Sequence, residues 1–130
     1  MTCGSQKLKL GTNSISNRQA SASVGQILLM TEYTKFFGME SITVGQILLT
    51  KDCFTNKLKS KNIKNAVTTL WQLGAIPIVN ENDTVITSEL DKTFDDNDDL
   101  SARVAILLEA SKLVILTDTD GVYTSNPKID

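Results

Sequence analysis

The sequence predicts an α/β fold, a three-layer sandwich in which helices flank a mainly parallel β-sheet. Short runs of apolar and β-branched residues alternate along the chain with longer segments that have helical periodicity. The connections between them are short, and strands that alternate with helices in this way form parallel sheets with right-handed crossovers. The chain of 130 residues contains no evident linker, so we expect a single domain over residues 1–130.

The first half of the chain predicts one helix and one strand. Residues 1–19 are polar and have little pattern. Apolar residues at helical spacing then predict a helix over residues 20–37, which Gly38 would end. The β-branched run over residues 42–50 predicts a buried strand.

Six residues, Val-Gly-Gln-Ile-Leu-Leu, occur twice, at positions 24–29 and 44–49. Repeat architectures show such self-similarity at a fixed period. Here the flanking residues do not repeat and there is no third copy. We therefore interpret the repeat as a coincidence, helical at the first position and extended at the second, because context overrides propensity.

The second half predicts two more helices and two more strands. The cleanest amphipathic helix covers residues 63–71 and is stopped by Gly74. A strand over residues 76–79 follows, and Pro77 within it indicates an irregular or edge position. A helix then covers residues 100–108.

The last predicted strand is the continuous apolar run at residues 113–116. Its polar exit covers residues 117–121 and reads Thr-Asp-Thr-Asp-Gly. An apolar strand followed by Asp-x-Asp-Gly is also similar to phosphatases of the haloacid dehalogenase type. In that remote alternative Asp118 would be the nucleophile and Asp120 the acid, although such enzymes need further elements downstream.

An acidic stretch over residues 80–99 connects the second strand to the last helix. Taken alone, such a stretch is typical of a solvated loop with helix-capping carboxylates. However, two of the three predicted strands end in polar residues, and the carboxyl ends of parallel strands lie at one edge of a sheet. The free amides at the start of the last helix favour an anion or a capping carboxylate nearby. We therefore expect a small-molecule pocket ringed by Asn80, Asp83, Asn97, Asp98, Thr117 and Asp118.

Composition excludes several classes of function. The absence of histidine excludes a Ser-His triad, a His-bound zinc and an imidazole base. A net charge of −2 gives no reason to expect nucleic acid, and no apolar run approaches the roughly 18 residues of a membrane helix. Cys3 and Cys53 have no metal or redox spacing, so we expect reduced thiols in a cytoplasmic protein. Carboxylates without histidine suit ammonium recognition or Mg²⁺, and phosphoryl transfer needs mainly positioning and charge neutralisation.

Several motifs together resemble one family. They are Ala-Ser-Val-Gly-Gln at 22–26, Val-Gly-Gln-Ile-Leu-Leu-Thr at 44–50, Asn-Ala at 65–66, Ile-Pro-Ile-Val-Asn-Glu-Asn-Asp at 76–83, Asp-Asn-Asp-Asp-Leu-Ser-Ala at 96–102 and Leu-Thr-Asp-Thr-Asp-Gly-Val-Tyr at 116–123. In this order they resemble glutamate 5-kinase, of the amino acid kinase superfamily. The resemblance covers nearly all of the chain.

The resemblance implies phosphorylation of the side-chain carboxylate of L-glutamate with Mg²⁺-ATP, the first committed step of proline biosynthesis. Asn80, Asp83 and Asn97 are then expected to bind glutamate. Asp98 would organise the catalytic lysines, and Thr117 and Asp118 would belong to the nucleotide site. Mg²⁺ would arrive as the ATP complex, so we expect no separate metal site.

Departures from the family pattern predict a partial kinase domain. The family begins with a strand ending in a Lys-x-Gly turn and another ending in a Ser-Gly segment, and this chain looks as if it starts after both. The Lys-Leu-Gly-Thr at 9–12 is similar to the first motif. Too few residues separate it from the following helix to hold the helix and strand that lie between in the family, so we do not assign it that role. The region of the second catalytic lysine is expected beyond Asp130, and Asp95 stands where the family has glycine.

We therefore expect poor phosphate transfer by this chain alone. The alternative is a non-catalytic remnant that binds glutamate or proline, or that pairs with another subunit. Unpaired sheet edges also favour a homo-oligomer.

Overall fold

The computed structural model describes residues 2–8, 14–85, 97–117 and 121. In this part of the chain two parallel strands lie among five α-helices, which confirms the predicted α/β class. The elements in chain order are α1 (Thr2–Leu8), α2 (Ile15–Met39), β1 (Val44–Leu49), α3 (Asp52–Thr55), α4 (Lys57–Gln72), β2 (Ile76–Glu81), a 3₁₀ turn (Asp83–Val85) and α5 (Asn97–Leu107).

Helix α2 begins earlier than its periodicity predicts, because a cap precedes the apolar stripe. The Ser14 hydroxyl accepts a hydrogen bond from the Asn17 N–H at 3.1 Å and satisfies one of the free amides at the helix start. Helix α1, which the sequence did not predict, packs on α2 at Gly4. A Cβ on Gly4 would lie 1.7 Å from the Ser21 carbonyl oxygen, so only glycine permits this approach.

Strands β1 and β2 form a parallel pair whose register runs from Val44 opposite Ile76 to Leu49 opposite Glu81. Their carboxyl ends therefore lie at the same edge, as predicted. Pro77 lies in β2, which pairs with β1 on one side only among the described residues, so its edge position is confirmed. The six-residue repeat is helical in α2 and extended in β1, which confirms that it is no structural repeat.

Helix α4 connects the two strands and has defined signals at both ends. The Asn56 side-chain oxygen accepts hydrogen bonds from the N–H groups of Leu58 at 3.0 Å and Lys59 at 3.1 Å. Gly74 follows the helix at φ +74°, the left-handed region that favours glycine, and the chain turns into β2. The predicted helix with its glycine stop is confirmed.

The core lies between the sheet and α5, where Leu49 and Leu100 pack together with exposed fractions of 2% and 4%. Partly buried hydrophobic residues surround this pair: Ile47, Cys53, Phe54, Ile63, Val79 and Val104. The prediction that β1 is wholly buried was wrong. Only Leu49 in this strand is buried and Gln46 is exposed, because a two-stranded sheet is covered incompletely by the described helices.

The prediction of a third strand at residues 113–116 was also wrong. These residues are neither helix nor strand, and their side chains are exposed, Leu116 to 93%. A strand requires a neighbour for its backbone N–H and C=O groups, and the only pair among the described residues is β1 with β2. None of the helices in the described ranges has the length and apolar character needed to cross a membrane.

Candidate functional site

A cavity of about 600 Å³ lies beside β2, bounded by α2, the end of α4, α5 and the segment after α5. Most of its lining is apolar, including Leu29, Tyr33 and Trp71. Two of the predicted pocket residues, Asn80 from β2 and Asn97 from α5, line it together. They are 17 positions apart in the chain, and the fold brings both to one cavity.

Asn80 lies near the carboxyl end of β2, opposite Leu48 of β1, and is half-buried. Its side-chain Nδ2 donates a hydrogen bond to Oε1 of Gln26 in α2 at 2.9 Å. The other end of the Gln26 amide, Nε2, is buried and has no hydrogen-bond partner among the residues that the structure describes. A hydrogen bond from helix α2 therefore fixes the side-chain amide of Asn80.

Asp83 begins the 3₁₀ turn that follows β2, and it is half-buried. Burial raises the pKa of its carboxyl above the ordinary value, because the charged form loses contact with water. The turn is tied to α2, since the hydroxyls of Ser23 and Thr84 lie 3.0 Å apart. Asp83 follows Asn80 by three residues in the chain, but it does not line the cavity that Asn80 and Asn97 share.

Asn97 and Asp98 form the start of α5, near the boundary that the sequence predicts. Both residues are exposed, and of the two only Asn97 lines the cavity. The Asp98 carbonyl accepts a hydrogen bond from the Ser101 hydroxyl at 2.9 Å. The neighbouring Asp99 accepts one from Nε of Arg103 at 2.8 Å, one helical turn later.

The nucleotide side of the predicted pocket is described only in part. Thr117 is exposed and does not line the cavity. Asp118 lies outside the described residues, as do Asp95 and Asp120. Within the described ranges, no group of three or more Cys, Asp or Glu residues could hold a metal ion.

Two features near the site were missed by the sequence reasoning. Gln26 belongs to the Ala-Ser-Val-Gly-Gln motif. That motif supported the family resemblance but did not indicate that the Gln26 amide would contact Asn80. Lys112, just after α5, lines the cavity and adds a cation to a wall that we expected to be acidic. Its only sequence signal was its place directly before the apolar run at 113–116.

Comparison with known proteins identifies relatives along nearly the whole chain. The family model "Amino acid kinase family" matches residues 4–130. A glutamate 5-kinase of Methanococcoides burtonii is 50% identical over 111 residues, which cover 85% of this chain and 30% of the relative. The glutamate 5-kinase of Gloeobacter violaceus is 46% identical over 128 residues, and that of Streptococcus pneumoniae 48% identical over 127 residues; each alignment covers 98% of this chain and 34% of the relative.

The chain thus spans about a third of the length of the curated relatives it matches. The match accounts for the motifs at 76–83, 96–102 and 116–123 together, whereas the haloacid dehalogenase alternative rests on the last of these alone. Because the family model covers residues 4–130, this chain belongs to the amino acid kinase family.

Proposed function

We propose that this chain is the central part of the kinase domain of a glutamate 5-kinase. The reaction would transfer the γ-phosphoryl group of Mg²⁺-ATP to the side-chain carboxylate of L-glutamate, in proline biosynthesis in the cytoplasm. The observation that carries the proposal is the meeting of Asn80 and Asn97 at one cavity. The relatives named glutamate 5-kinase, at 46–50% identity, supply the substrate and the reaction class.

The glutamate side of the site would use amides and one carboxylate. Asn80 and Asn97 offer amide groups that can both donate to a carboxylate and accept from an ammonium group. Asp83 offers a half-buried carboxylate whose pKa is raised by burial. The ammonium group of a bound amino acid would lower that pKa again, because an opposite charge nearby favours the ionised form. Glutamate binding and ionisation of Asp83 would therefore favour each other.

The phosphoryl-transfer side is assigned by the family resemblance. Thr117 and Asp118 would contact the nucleotide, and Mg²⁺, held with its phosphates, would neutralise their charge. Asp98, exposed at the first turn of α5, would organise cations around the transferring group. A carboxylate oxygen can bind Mg²⁺ or accept a hydrogen bond from a lysine ammonium group, so the chemistry of Asp98 suits this role.

Calorimetric titration of the purified chain with L-glutamate in the absence of ATP tests the proposal. We expect saturable binding that is lost in Asn97→Ala and retained in Asn62→Ala, a matched substitution on the exposed surface of α4. A folded chain that binds no glutamate, or binding that is unaffected by Asn97→Ala, would contradict it. The alternative of a non-catalytic binding protein predicts the same titration but no glutamate-dependent ADP release when Mg²⁺-ATP is added.

We further propose that the chain associates with another polypeptide or with a second copy of itself. Large apolar side chains are exposed on several elements, among them Ile27 at 70%, Ile106 at 78% and Leu116 at 93%. Exposed apolar side chains in this number leave surface that a partner could cover. Sedimentation of the purified chain is expected to show a dimer or larger species, and a monomer that unfolds cooperatively would contradict this.

A further inference from the structure

Helix α2 contacts β2 and the 3₁₀ turn after it at two polar points that lie on one face of the helix. Gln26 accepts a hydrogen bond from Asn80 at 2.9 Å, and Ser23, three residues earlier, lies 3.0 Å from Thr84. The two contacts join residues that are 54 and 61 positions apart in the chain. The segment that carries Asn80 and Asp83 is therefore held by α2 through side chains, in addition to its backbone pairing with β1.

The contact with Gln26 fixes more than the position of Asn80. A primary amide has a donor end and an acceptor end, and a half-turn about its last bond exchanges them. With Nδ2 donating to Gln26, the amide of Asn80 is held in one of these two orientations, and Oδ1 is the end left for a ligand. Asn80 lines the cavity, whereas Gln26 does not, so Gln26 acts on the cavity through Asn80.

The nitrogen end of the Gln26 amide shows that this arrangement of the two side chains costs free energy. Its Nε2 is buried without a hydrogen-bond partner among the described residues, and such unpaired buried donors are uncommon in folded proteins. Turning the Gln26 amide around would place Nε2 against Nδ2 of Asn80, donor against donor. The hydrogen bond that the structure shows therefore requires Oε1 of Gln26 to face Asn80, which couples the orientations of the two amides.

We propose that Gln26 is a positioning residue that holds the Asn80 amide with its oxygen available to the ammonium group of an α-amino acid in the cavity. This inference rests on the proposed function for the identity of the ligand. It assigns to Gln26 a selective role, since an oxygen at this place favours a cationic amino group over a carboxylate.

The substitution Gln26→Met tests the inference, because methionine keeps the length of the side chain and removes the acceptor. Gln72→Met, at the exposed last residue of α4, is the matched control. In ¹⁵N-labelled protein we expect the Asn80 side-chain amide protons to exchange slowly in the wild type and in Gln72→Met. In Gln26→Met they should exchange as fast as those of the exposed Asn62.

The same samples are titrated with L-glutamate. Loss of one hydrogen bond that orients a ligand group predicts a dissociation constant raised roughly three- to tenfold in Gln26→Met and changed less than twofold in Gln72→Met. The backbone amide spectrum shows whether each variant is folded. If Gln26→Met does not fold, rapid exchange of the Asn80 amide in the wild type alone would overturn the inference, and slow exchange would support it.

The outcomes separate the inference from the proposed function. Equal glutamate affinity in the wild type and Gln26→Met overturns the role of Gln26 and leaves the proposed function standing. No glutamate binding by the folded wild type overturns the proposed function and the ligand assigned to Asn80. Weakened binding in Gln26→Met together with loss of Asn80 protection supports the inference.

Discussion

Replacement of Leu49 by alanine tests whether the contact between β1 and α5 holds the fold together. Leu49 is the last residue of β1, is 2% exposed and packs against Leu100 of α5, which is 4% exposed. The same helix carries Asn97 at its first position. Loss of this contact should therefore loosen the core and one wall of the cavity together.

The expected magnitude follows from the burial of the side chain. Leucine to alanine removes three carbon atoms, and each buried CH₂ group is worth about 0.8 kcal/mol, so the transfer contribution is about 2 kcal/mol. The cavity left behind adds to this, and buried leucines lose about 2–5 kcal/mol in such substitutions. We expect about 3 kcal/mol for Leu49→Ala. Only five hydrophobic residues in the described ranges are buried, so the total stability is expected near the low end for a domain of this length, about 6 kcal/mol.

Urea denaturation followed by circular dichroism and by the fluorescence of Trp71, the one tryptophan, measures this loss. Leu58→Ala is the matched control, because Leu58 lies in α4 and is 67% exposed. It should change the free energy of unfolding by less than about 0.5 kcal/mol. If the two variants lose equal stability, the identification of the Leu49–Leu100 contact as the core is refuted.

Three further predictions concern helix ends and charge. Asn56→Ala should lower the free energy of unfolding by about 1 kcal/mol because two backbone amides of α4 lose their acceptor, and Asn56→Gly by only a few tenths, measured by urea denaturation. Gly74→Ala should cost about 1–2 kcal/mol in the same assay, because its φ of +74° strains any residue with a Cβ; Gly38→Ala, with open space around its Cβ position, is the control. Asp83→Asn should stabilise the chain at neutral pH and weaken glutamate binding. The Asp83 pKa is raised by burial in the folded state, so the unfolded state loses its proton first as the pH rises above the ordinary value near 3.8, and folding stability falls through that window in the wild type but not in the variant. Thermal unfolding of both proteins as a function of pH measures the difference, and parallel curves would contradict it.

The helices could be predicted from the sequence because their hydrogen bonds are local. The amphipathic pattern of α4 and the stop at Gly74 act within one segment, and both are found in the structure. The start of α2 was predicted too late, because the cap at Ser14 lies before any apolar periodicity begins. Short α3, Asp52–Thr55, has too few residues for a periodic pattern.

Strand formation could be predicted less well because a strand depends on its neighbour. The apolar run at residues 113–116 has the composition of a strand, yet its backbone has no partner strand among the described residues and its side chains are exposed. By contrast, β1 and β2 stabilise each other along six residue pairs. Composition reports the tendency of a segment, and pairing decides whether it becomes a strand.

In the candidate site, too, some features follow from general rules of the fold and others depend on how distant segments pack. The rule that parallel strands end at one edge predicted Asn80 at the pocket, and Asn97 was expected there as the start of the following helix; both line the cavity. Thr117, expected from the end of a third strand, does not line it, because residues 113–116 form no strand. The contact from Gln26 to Asn80 depends on how α2 is placed on the sheet, and no local pattern encodes that placement.

Two polar groups that weaken this fold lie where α2 meets β2 and the turn after it. Gln26 buries a donor that has no partner among the described residues, and Asp83 carries a carboxyl whose charged form is disfavoured by burial. Selection for stability alone would remove both, since substitutions that relieve such features are common and stabilising. Their presence within a few residues of Asn80 is expected where a sequence departs from local rules at a site of function. A bound amino acid would reverse the penalty at Asp83 by bringing a positive charge to the carboxylate, so the least favourable group of the free chain would become a favourable one in the complex.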